Sequence, residues 1–308
     1  NASRHSALSY ERAGQIEMQL SEEVARLTAM AEATDQADLP DGMAIPEELA
    51  RREKRLAEIA RARAIIEARA KEQYAREQAE YEAKMAARAA GSAETGNRPG
   101  GRPPAPPVAA PGPADQVNLT DEEQRIMPMA GGGFEQCYNA PAVVAAGSLL
   151  VVSGDVVEAA NDRQQRLPVP GELAALPGER GPVETLLADT GYFSGANADA
   201  CAAAAIDPLL AQDRQSYYPP LSERTTADPP EPEDPTRVEA MAHRLQTKAG
   251  KALHALRRQM PEPVFGIIRS AMGSRQFSLR GQDKIRREWK LVTMAWNRKR
   301  LFAFVGAV

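Results

Sequence analysis

Aromatic residues, cysteines and long apolar runs are scarce in this chain of 308 residues, and each scarcity excludes a class of protein. Aromatics make up 5% of the residues, and much of the 43% hydrophobic content is alanine, which favours helices over a dense β core. The two cysteines, Cys137 and Cys201, have no CxxC spacing, which predicts reduced, partly buried thiols rather than a disulfide framework. No apolar run approaches the roughly 18 residues of a membrane helix, and no secretory signal opens the chain, so we expect a cytoplasmic protein without a membrane partner.

Charge is distributed unevenly along the chain. Residues 237–308 contain 16 Lys and Arg but only 4 Asp and Glu, a balance of +12 in a chain whose net charge is −4. The residues before them therefore carry −16. A basic segment with so few compensating acids indicates a polyanionic partner such as nucleic acid. The alternative is that this segment forms merely a solvated helix surface.

The first third of the chain predicts a helical arm. Residues 1–36 place apolar side chains at three- and four-residue spacing, and residues 45–90 are rich in Ala, Glu, Arg and Lys with only a narrow apolar stripe. We therefore interpret residues 1–90 as an arm or insertion rather than a globular core. Residues 91–117 are rich in proline and glycine, which predicts a disordered linker.

Residues 118–308 alternate short strands with helices. The pattern predicts a hairpin over 134–157, a helix from Asn161 to about Leu176, a strand over 183–188, a helix capped by Ser194, a strand over 207–211, and helices over 240–260, 264–272 and 284–304. This order is typical of an α/β fold and makes up most of a ribonuclease-H-like mixed sheet flanked by helices. No strand pattern precedes Gln116, so the first strand of such a sheet is predicted to be missing.

Two acids stand where side chains can hold metal ions. Asp189 ends the strand in LLADTGYFS, and Glu262 opens the helix in PEPVFGIIR, 73 residues further on. Phosphodiester chemistry without a protein nucleophile uses two Mg²⁺ ions about 3.5–4 Å apart, held by carboxylates on a rigid frame. We therefore expect Asp189 and Glu262 to approach each other. The simpler alternatives are that Asp189 is a helix cap or turn residue and that Glu262 is a first-turn acid at a helix start.

Longer motifs resemble a known family. The family is that of the DDE-domain transposases of bacterial insertion sequences, and the similar stretches are NASRHSALSY, GGFEQCYNAPAVV, LADTGYFSGAN, PEPVFGIIRSAMGSRQFSLRG and REWKLVTMAWNRKRL. The resemblance covers nearly the whole chain and is least specific in the long helix and the linker. It implies a ribonuclease-H-like fold, Mg²⁺ or Mn²⁺ as cofactor, and cleavage of transposon ends with strand transfer into target DNA. It also implies that Asp189 is the second catalytic Asp and Glu262 the catalytic Glu.

Departures from the family pattern predict a truncated or degenerate copy. The family's first catalytic Asp lies in a strand just before the segment that NASRHSALSY resembles. This chain starts at Asn1 and not at a methionine, so we expect a fragment that lacks that acid and is inactive alone. Pro141 and Ala145 stand where the family pattern has Gln and Asp.

A signature of related transposases, Tyr-x2-Arg-x3-Glu-x6-Lys, is matched in part. Arg258 and Glu262 fit it, Arg269 keeps the charge of the Lys, and Ala255 replaces the Tyr, with His254 beside it. The hairpin or flipped-base handling that the family assigns to the Tyr is therefore not expected here.

The basic C-terminal residues are the candidate DNA contacts. Arg258 and Arg269 are expected to hold phosphate, and the rest of the tail is expected to follow the DNA backbone with little base selectivity. On the last helix we expect Ile285, Leu291, Val292 and Ala295 to face the core, Trp289 and Trp296 to shield its edges, and Arg286, Arg287 and Lys290 to point outward. The predicted DNA-binding residues are Arg257, Arg258, Arg269, Arg275, Arg280, Lys284, Arg286, Arg287 and Lys290, extended by Arg298, Lys299 and Arg300.

Three hypotheses remain open at the level of sequence. The chain is a metal-dependent DNA transposase, or a catalytically dead transposase remnant that only binds DNA, or a helical interaction protein whose basic tail is incidental. In the last case the tail cations pair internally with the acidic run 231–234 or with the long helix. The first two predict DNA as the partner, a possible homodimer, and a nucleoid-associated location in a bacterial cytoplasm.

Overall fold

A computed structural model describes residues 6–33, 44–95, 101–128, 132–158, 173, 182–211 and 227–306. The chain separates into two compact units. One, called the arm unit here, comprises Ala2–Ile126 and Phe134–Gln136; the other, called the core unit, comprises Asn1, Met127–Gly133 and Cys137–Val308. The described residues contain both helices and strands, in keeping with the α/β prediction.

The arm unit is built on two long helices. α1 spans Tyr10–Ala33 and α2 spans Ile45–Thr95. Glu23 of α1 contacts Arg52 of α2, and Glu17 contacts Arg63. Since positions fall along α1 as they rise along α2, the two helices run antiparallel. The predicted helical arm is therefore present, with α2 ending a few residues later than expected.

A short strand pair packs against the two long helices of the arm unit. β1 (Ala7–Ser9) pairs antiparallel with β2 (Gln116–Asn118), with Leu8 opposite Val117. The buried apolar side chains that pack together in this region are Leu8, Ala13, Ile59, Ala62, Ile66 and Val117. The expectation that no strand precedes Gln116 is thus wrong. β1 has three residues and one buried side chain, too few to show a period-two pattern in the sequence.

Part of the proline-rich segment contacts the start of α1. Within residues 101–115, the carbonyl of Asp115 accepts a hydrogen bond from the Tyr10 N–H at 2.8 Å, and that of Pro113 accepts one from the Glu11 N–H at 3.3 Å. The first N–H groups of a helix lack partners inside the helix, so these carbonyls complete the start of α1. The segment therefore has a defined position in the arm unit.

The predicted hairpin is confirmed over its second part. β5 (Ala142–Val144) and β6 (Val151–Gly154) pair antiparallel with a bulge, and Asn139 forms an antiparallel bridge with Val157. The earlier strand β4 (Phe134–Cys137) belongs to a different two-stranded sheet with β3 (Arg125–Pro128).

The strand that carries the first candidate acid also forms as predicted. β7 spans Thr185–Ala188 and pairs in parallel with β8 (Asp207–Leu210). α3 (Gly195–Ala203) connects them, and the Ser194 hydroxyl accepts a hydrogen bond from the Asn197 N–H at 3.1 Å. The predicted Ser194 cap is confirmed, and the segment is a β–α–β connection of the kind that parallel strands require.

Helices make up the rest of the core unit. They are α4 (Arg237–Gln246), α5 (Lys248–Ala255), a 3₁₀ turn (Leu256–Gln259), α6 (Pro261–Ser270) and α7 (Gln282–Val305). The single helix predicted over 240–260 is therefore two helices and a 3₁₀ turn. Thr247 ends α4, and its hydroxyl caps α5 by accepting from the Gly250 N–H at 3.0 Å.

The hairpin lies between two apolar clusters. Val143 and Val152 contact a cluster formed mainly by β7, β8, α3 and α4, whereas Val144 and Val151 belong to a cluster with α6 and α7. Alternate residues of a strand point to opposite faces, so both faces of this hairpin are covered. Gly154 permits close packing there, because an added Cβ would lie 3.0 Å from Nε1 of Trp289.

The strands do not join into one sheet within the part of the chain that the structure describes. Four separate two-stranded sheets are present there, so the ribonuclease-H-like mixed sheet stays a prediction. Of the helix predicted from Asn161 to about Leu176, only Leu173 lies among the described residues, where it is helical and buried. None of the described helices has the length and apolar content to cross a bilayer.

Candidate active site and nucleic-acid interface

Asp189 stands directly after β7, at the end of a buried strand. Its side chain is 56% exposed. Oδ1 accepts a hydrogen bond from the Thr190 N–H at 2.8 Å and so caps a short 3₁₀ turn, Thr190–Tyr192. The simpler sequence alternative, a cap, is therefore a role that Asp189 does fill.

An ion pair joins Asp189 to the segment that leads into α6. Nη1 of Arg257, in the 3₁₀ turn before α6, lies 3.0 Å from Oδ2 of Asp189. Glu262 follows five residues later, in the first turn of α6, where it is exposed and has no hydrogen-bond or ion-pair partner among the described residues. The fold thus links the β7 end to the start of the helix that carries the second candidate acid.

His254 makes a second link between this segment and β7. It is buried at the end of α5, and its Nε2 lies 3.3 Å from the Ala188 carbonyl oxygen. Burial lowers the pKa of His254 below its ordinary value, so the ring is neutral near pH 7. A carbonyl oxygen can only accept, so Nε2 carries the proton. The backbone before Asp189 is therefore held independently of the Arg257 ion pair.

The donor chemistry of Asp189 and Glu262 suits a hard divalent cation, because both are exposed carboxylates. The arrangement is nevertheless incomplete. No group of three or more His, Cys, Asp or Glu side chains that could hold a metal ion is found within the described residues. Both oxygens of Asp189 are also engaged, one by a backbone N–H and one by a guanidinium.

The thiols take no part in this site. Neither Cys137 nor Cys201 forms a disulfide within the described residues, and Cys201 is fully buried behind β8. Burial raises the pKa of the Cys201 thiol, and the nearby Asp207 carboxylate raises it further. A buried thiol of this kind is a poor nucleophile.

Several tail cations are exposed and available. Each of them lies on α7 or in the segment before it and has no ion-pair partner among the described residues; they are Arg275, Arg280, Lys284, Arg287 and Lys290. In particular, none pairs with the acidic run 231–234. The carboxylate of Glu288 accepts hydrogen bonds from the backbone N–H groups of Ser278 and Leu279, at 2.8 and 2.9 Å, which fixes the segment beside Arg280 to α7.

Arg286 does not point outward with its neighbours, and this part of the prediction is wrong. Its Nε lies 2.5 Å from Oδ1 of Asp155, and Nη1 contacts Asp283 at 3.1 Å. Nη2 also lies 3.4 Å from the Val156 carbonyl oxygen. Arg286 therefore fastens α7 to the end of the hairpin, and its charge is already compensated.

The apolar face of α7 was predicted correctly in part, since Ile285 is buried and Val292 packs against the same cluster. The prediction is wrong for Leu291, Ala295 and the two tryptophans. Trp289 and Trp296 are 5% and 2% exposed and form the core with Ile285, whereas Leu291 is 61% exposed. The indole Nε1 of Trp296 donates to the Leu149 carbonyl at 2.8 Å, and the Trp289 ring stacks on Phe265. The two tryptophans thus anchor the helix instead of shielding its edges, and Ala295 is exposed.

The remaining arginines of the predicted DNA-binding set take several positions. Arg258 lies half-buried in the 3₁₀ turn beside Arg257, and Arg269 is exposed in the last turn of α6 over the Phe265 ring. Near the end of α7, Arg298 lies over the Phe302 ring, and Nε of Arg300 donates to the Ser148 carbonyl at 3.0 Å.

The comparisons with known proteins agree with this picture over part of the chain. Residues 231–302 match the family model of the transposase DDE domain. This match confirms the resemblance to DDE transposases over these residues. Glu262 and the exposed cations of α7 lie inside the matched residues, and Asp189 lies before them. Neither a curated protein nor a solved structure gave a significant match.

Sequence reasoning missed the roles of His254 and Arg257 at the β7 end. The sequence identifies His254 only as the neighbour of a signature position and Arg257 only as a predicted DNA contact. Their partners lie 66 and 68 residues earlier in the chain, and no local pattern reports such contacts. A histidine on the inner face of an amphipathic helix was the one available signal.

Proposed function

We propose that this chain is a DNA transposase of the DDE class, which cleaves transposon ends and transfers the freed 3′ ends into target DNA. The observation that carries the proposal is the match of residues 231–302 to the transposase DDE domain, since these residues include both Glu262 and the basic tail. The strand-end position of Asp189 supports it, because a carboxylate on a rigid strand can hold a cation at a reacting phosphate.

Asp189 and Glu262 are the proposed catalytic residues and metal ligands. Mg²⁺ or Mn²⁺ bound there supplies Lewis-acid chemistry that activates the attacking oxygen and stabilises the leaving oxygen. The residues of the chain position these two carboxylates. His254 holds the end of β7, and the 3₁₀ turn with Arg257 links that end to the start of α6.

A ribonuclease-H-like fold is the proposed architecture. Support comes from the antiparallel hairpin, from the parallel pair β7 and β8 with α3 between them, and from helices that cover both faces of the hairpin. These are the components that such a fold combines into one mixed sheet.

Exposed cations supply the proposed DNA contacts. Arg275, Arg280, Lys284, Arg287 and Lys290 have no internal partner among the described residues, so their charges are free to neutralise phosphates. Arg258 and Arg269 lie on either side of Glu262 along the chain and are proposed to hold phosphate near it. Arg286 and Arg257 make ion pairs within the protein and contribute less.

The alternative is a catalytically dead remnant that only binds DNA. The absence of a three-acid cluster within the described residues favours it, because two carboxylates fix two cations less well than three. We also propose, from the family alone, a possible homodimer and a nucleoid-associated location in a bacterial cytoplasm.

A cleavage assay separates these two functions. Duplex DNA carrying a matched transposon end is incubated with the full chain in Mn²⁺, and strand cleavage and joining are measured. The transposase proposal predicts cleavage and joining that vanish in Asp189→Ala. The remnant predicts DNA binding without cleavage, and that result would contradict the enzymatic proposal. Absence of DNA binding would overturn both.

A further inference from the structure

Both carboxylate oxygens of Asp189 already have partners within the protein. Oδ1 accepts from the Thr190 backbone, and Oδ2 faces Nη1 of Arg257 at 3.0 Å. A divalent cation that binds Asp189 through Oδ2 would need the position that the guanidinium now fills. The Arg257 guanidinium and a metal ion would thus compete for the same oxygen of Asp189.

Arg257 uses only some of the N–H groups of its guanidinium to contact Asp189. A guanidinium that faces a carboxylate well donates two parallel N–H bonds. Nε of Arg257 is instead buried and has no hydrogen-bond partner among the described residues. The side chains of Arg257 and Asp189 are 21% and 56% exposed, so solvent weakens the pair further. The ion pair is therefore one that a more highly charged cation can displace.

The β7 end does not depend on this ion pair for its position. The Ala188 carbonyl accepts from the Ala211 N–H at 3.2 Å and contacts His254 at 3.3 Å. Both contacts precede Asp189 and remain when Arg257 is replaced. A substitution at Arg257 therefore tests the charge at Asp189 rather than the attachment of the strand.

We propose that Arg257 competes with a divalent cation for Oδ2 of Asp189 and thereby sets the metal affinity of this site. Arg257 is the internal counter-ion of the metal-free carboxylate, and this is a role distinct from a DNA contact. The inference rests on the proposed function only in taking Asp189 as a metal ligand.

The core unit offers a matched control for the test. Arg244 pairs with Asp207 at the first residue of β8, just as Arg257 pairs with Asp189 after the last residue of β7. Since the two strands are parallel and Thr185 is opposite Asp207, the two ion pairs lie at opposite ends of the same strand pair. Arg244→Gln therefore also removes one positive charge beside this strand pair, but it leaves the surroundings of Asp189 unchanged.

Mn²⁺ binding to the full chain without DNA gives the direct readout, through loss of the electron paramagnetic resonance signal of free Mn²⁺. We expect Arg257→Gln to tighten binding by about two- to fivefold, the range for release of a partly exposed ion pair. Arg244→Gln should leave the affinity unchanged, and Asp189→Asn should cancel the gain. Arg257→Met, which keeps the apolar stem of the side chain, should tighten binding as Arg257→Gln does. Tryptophan fluorescence confirms that each variant is folded, since Trp289 and Trp296 both lie in the core unit.

The outcomes distinguish this inference from the proposed function. If Asp189→Asn weakens Mn²⁺ binding but neither Arg257 variant strengthens it, competition is wrong and the metal-ligand role of Asp189 stands. If Asp189→Asn changes nothing in either background, Asp189 is not a metal ligand and both proposals fail. If Arg244→Gln tightens Mn²⁺ binding as much as Arg257→Gln does, the gain comes from the change in net charge alone. That result would overturn the specific competition at Asp189.

Discussion

The long helix of the arm and the last helix of the core unit are both rich in arginine and lysine, yet they use those charges differently. In α2, Arg51, Arg52, Arg55, Arg61 and Arg63 all pair with carboxylates. In α7, Arg286 is the basic residue that forms such pairs within the described part of the chain. α2 pairs many of its cations with carboxylates of the arm unit, whereas α7 keeps most of its charge exposed.

The difference shows that the number of basic residues does not measure the charge available to a partner. Glutamates occur between the arginines of α2 and along α1, so most of these cations find a partner within the arm unit. α7 contains only two acidic residues, Asp283 and Glu288, and the Glu288 carboxylate already accepts hydrogen bonds from backbone N–H groups. A polyanion can therefore gain from contacts with α7 that the arm helix does not offer.

The largest expected effect sharpens the distinction between the two faces of α7. Trp296→Ala should destabilise the core unit by about 3–5 kcal/mol, because it removes a buried aromatic and leaves the Leu149 carbonyl without its donor. Leu291→Ala, on the exposed face, should stay within about 0.5 kcal/mol of the parent chain. Urea unfolding followed by the fluorescence of Trp289 measures both. A loss at Leu291 as large as that at Trp296 would show that the exposed face is covered.

A smaller effect is expected from breaking the internal pairing of the arm. Arg63 contacts Glu17, the Tyr10 hydroxyl at 3.1 Å and Glu67 at 3.7 Å, so Arg63→Ala should cost about 1–2 kcal/mol. Lys290→Ala has no such partner to lose and should leave stability unchanged.

Thermal unfolding followed by far-ultraviolet circular dichroism measures the helices of both variants, and tryptophan fluorescence isolates the core unit. Equal destabilisation by the two substitutions would remove the contrast between paired and unpaired cations.

Local features of the core unit were predictable from the sequence. The run before Asp189 indicated β7, and Ser194 indicated the start of α3, because each depends on residues within one or two turns of chain. The hairpin was predictable over β5 and β6 for the same reason. β4 was misassigned because Pro141 separates it from β5 and it joins β3 instead.

Features that depend on distant partners were not predictable. β1 pairs with a strand more than a hundred residues later, and its three residues have no pattern of their own. The predicted orientation of α7 was wrong because apolar residues occur on both sides of this helix. Trp289 rather than Leu291 is buried because Trp289 packs against Phe265 and the hairpin. The helical period of the sequence does not reveal these partners. The Arg257–Asp189 pair was hidden in the same way.

The most direct test of the account is the salt dependence of duplex DNA binding by the full chain. Affinity should fall steeply with salt, with a log–log slope of about −4 to −5 for roughly four to six phosphate contacts. Arg287→Gln with Lys290→Gln should make the slope less negative by about 2, whereas Arg51→Gln with Arg55→Gln in the arm should leave it unchanged. An affinity indifferent to salt, or no binding at low salt, would contradict the claim that the unpaired cations of the tail form a DNA-binding face.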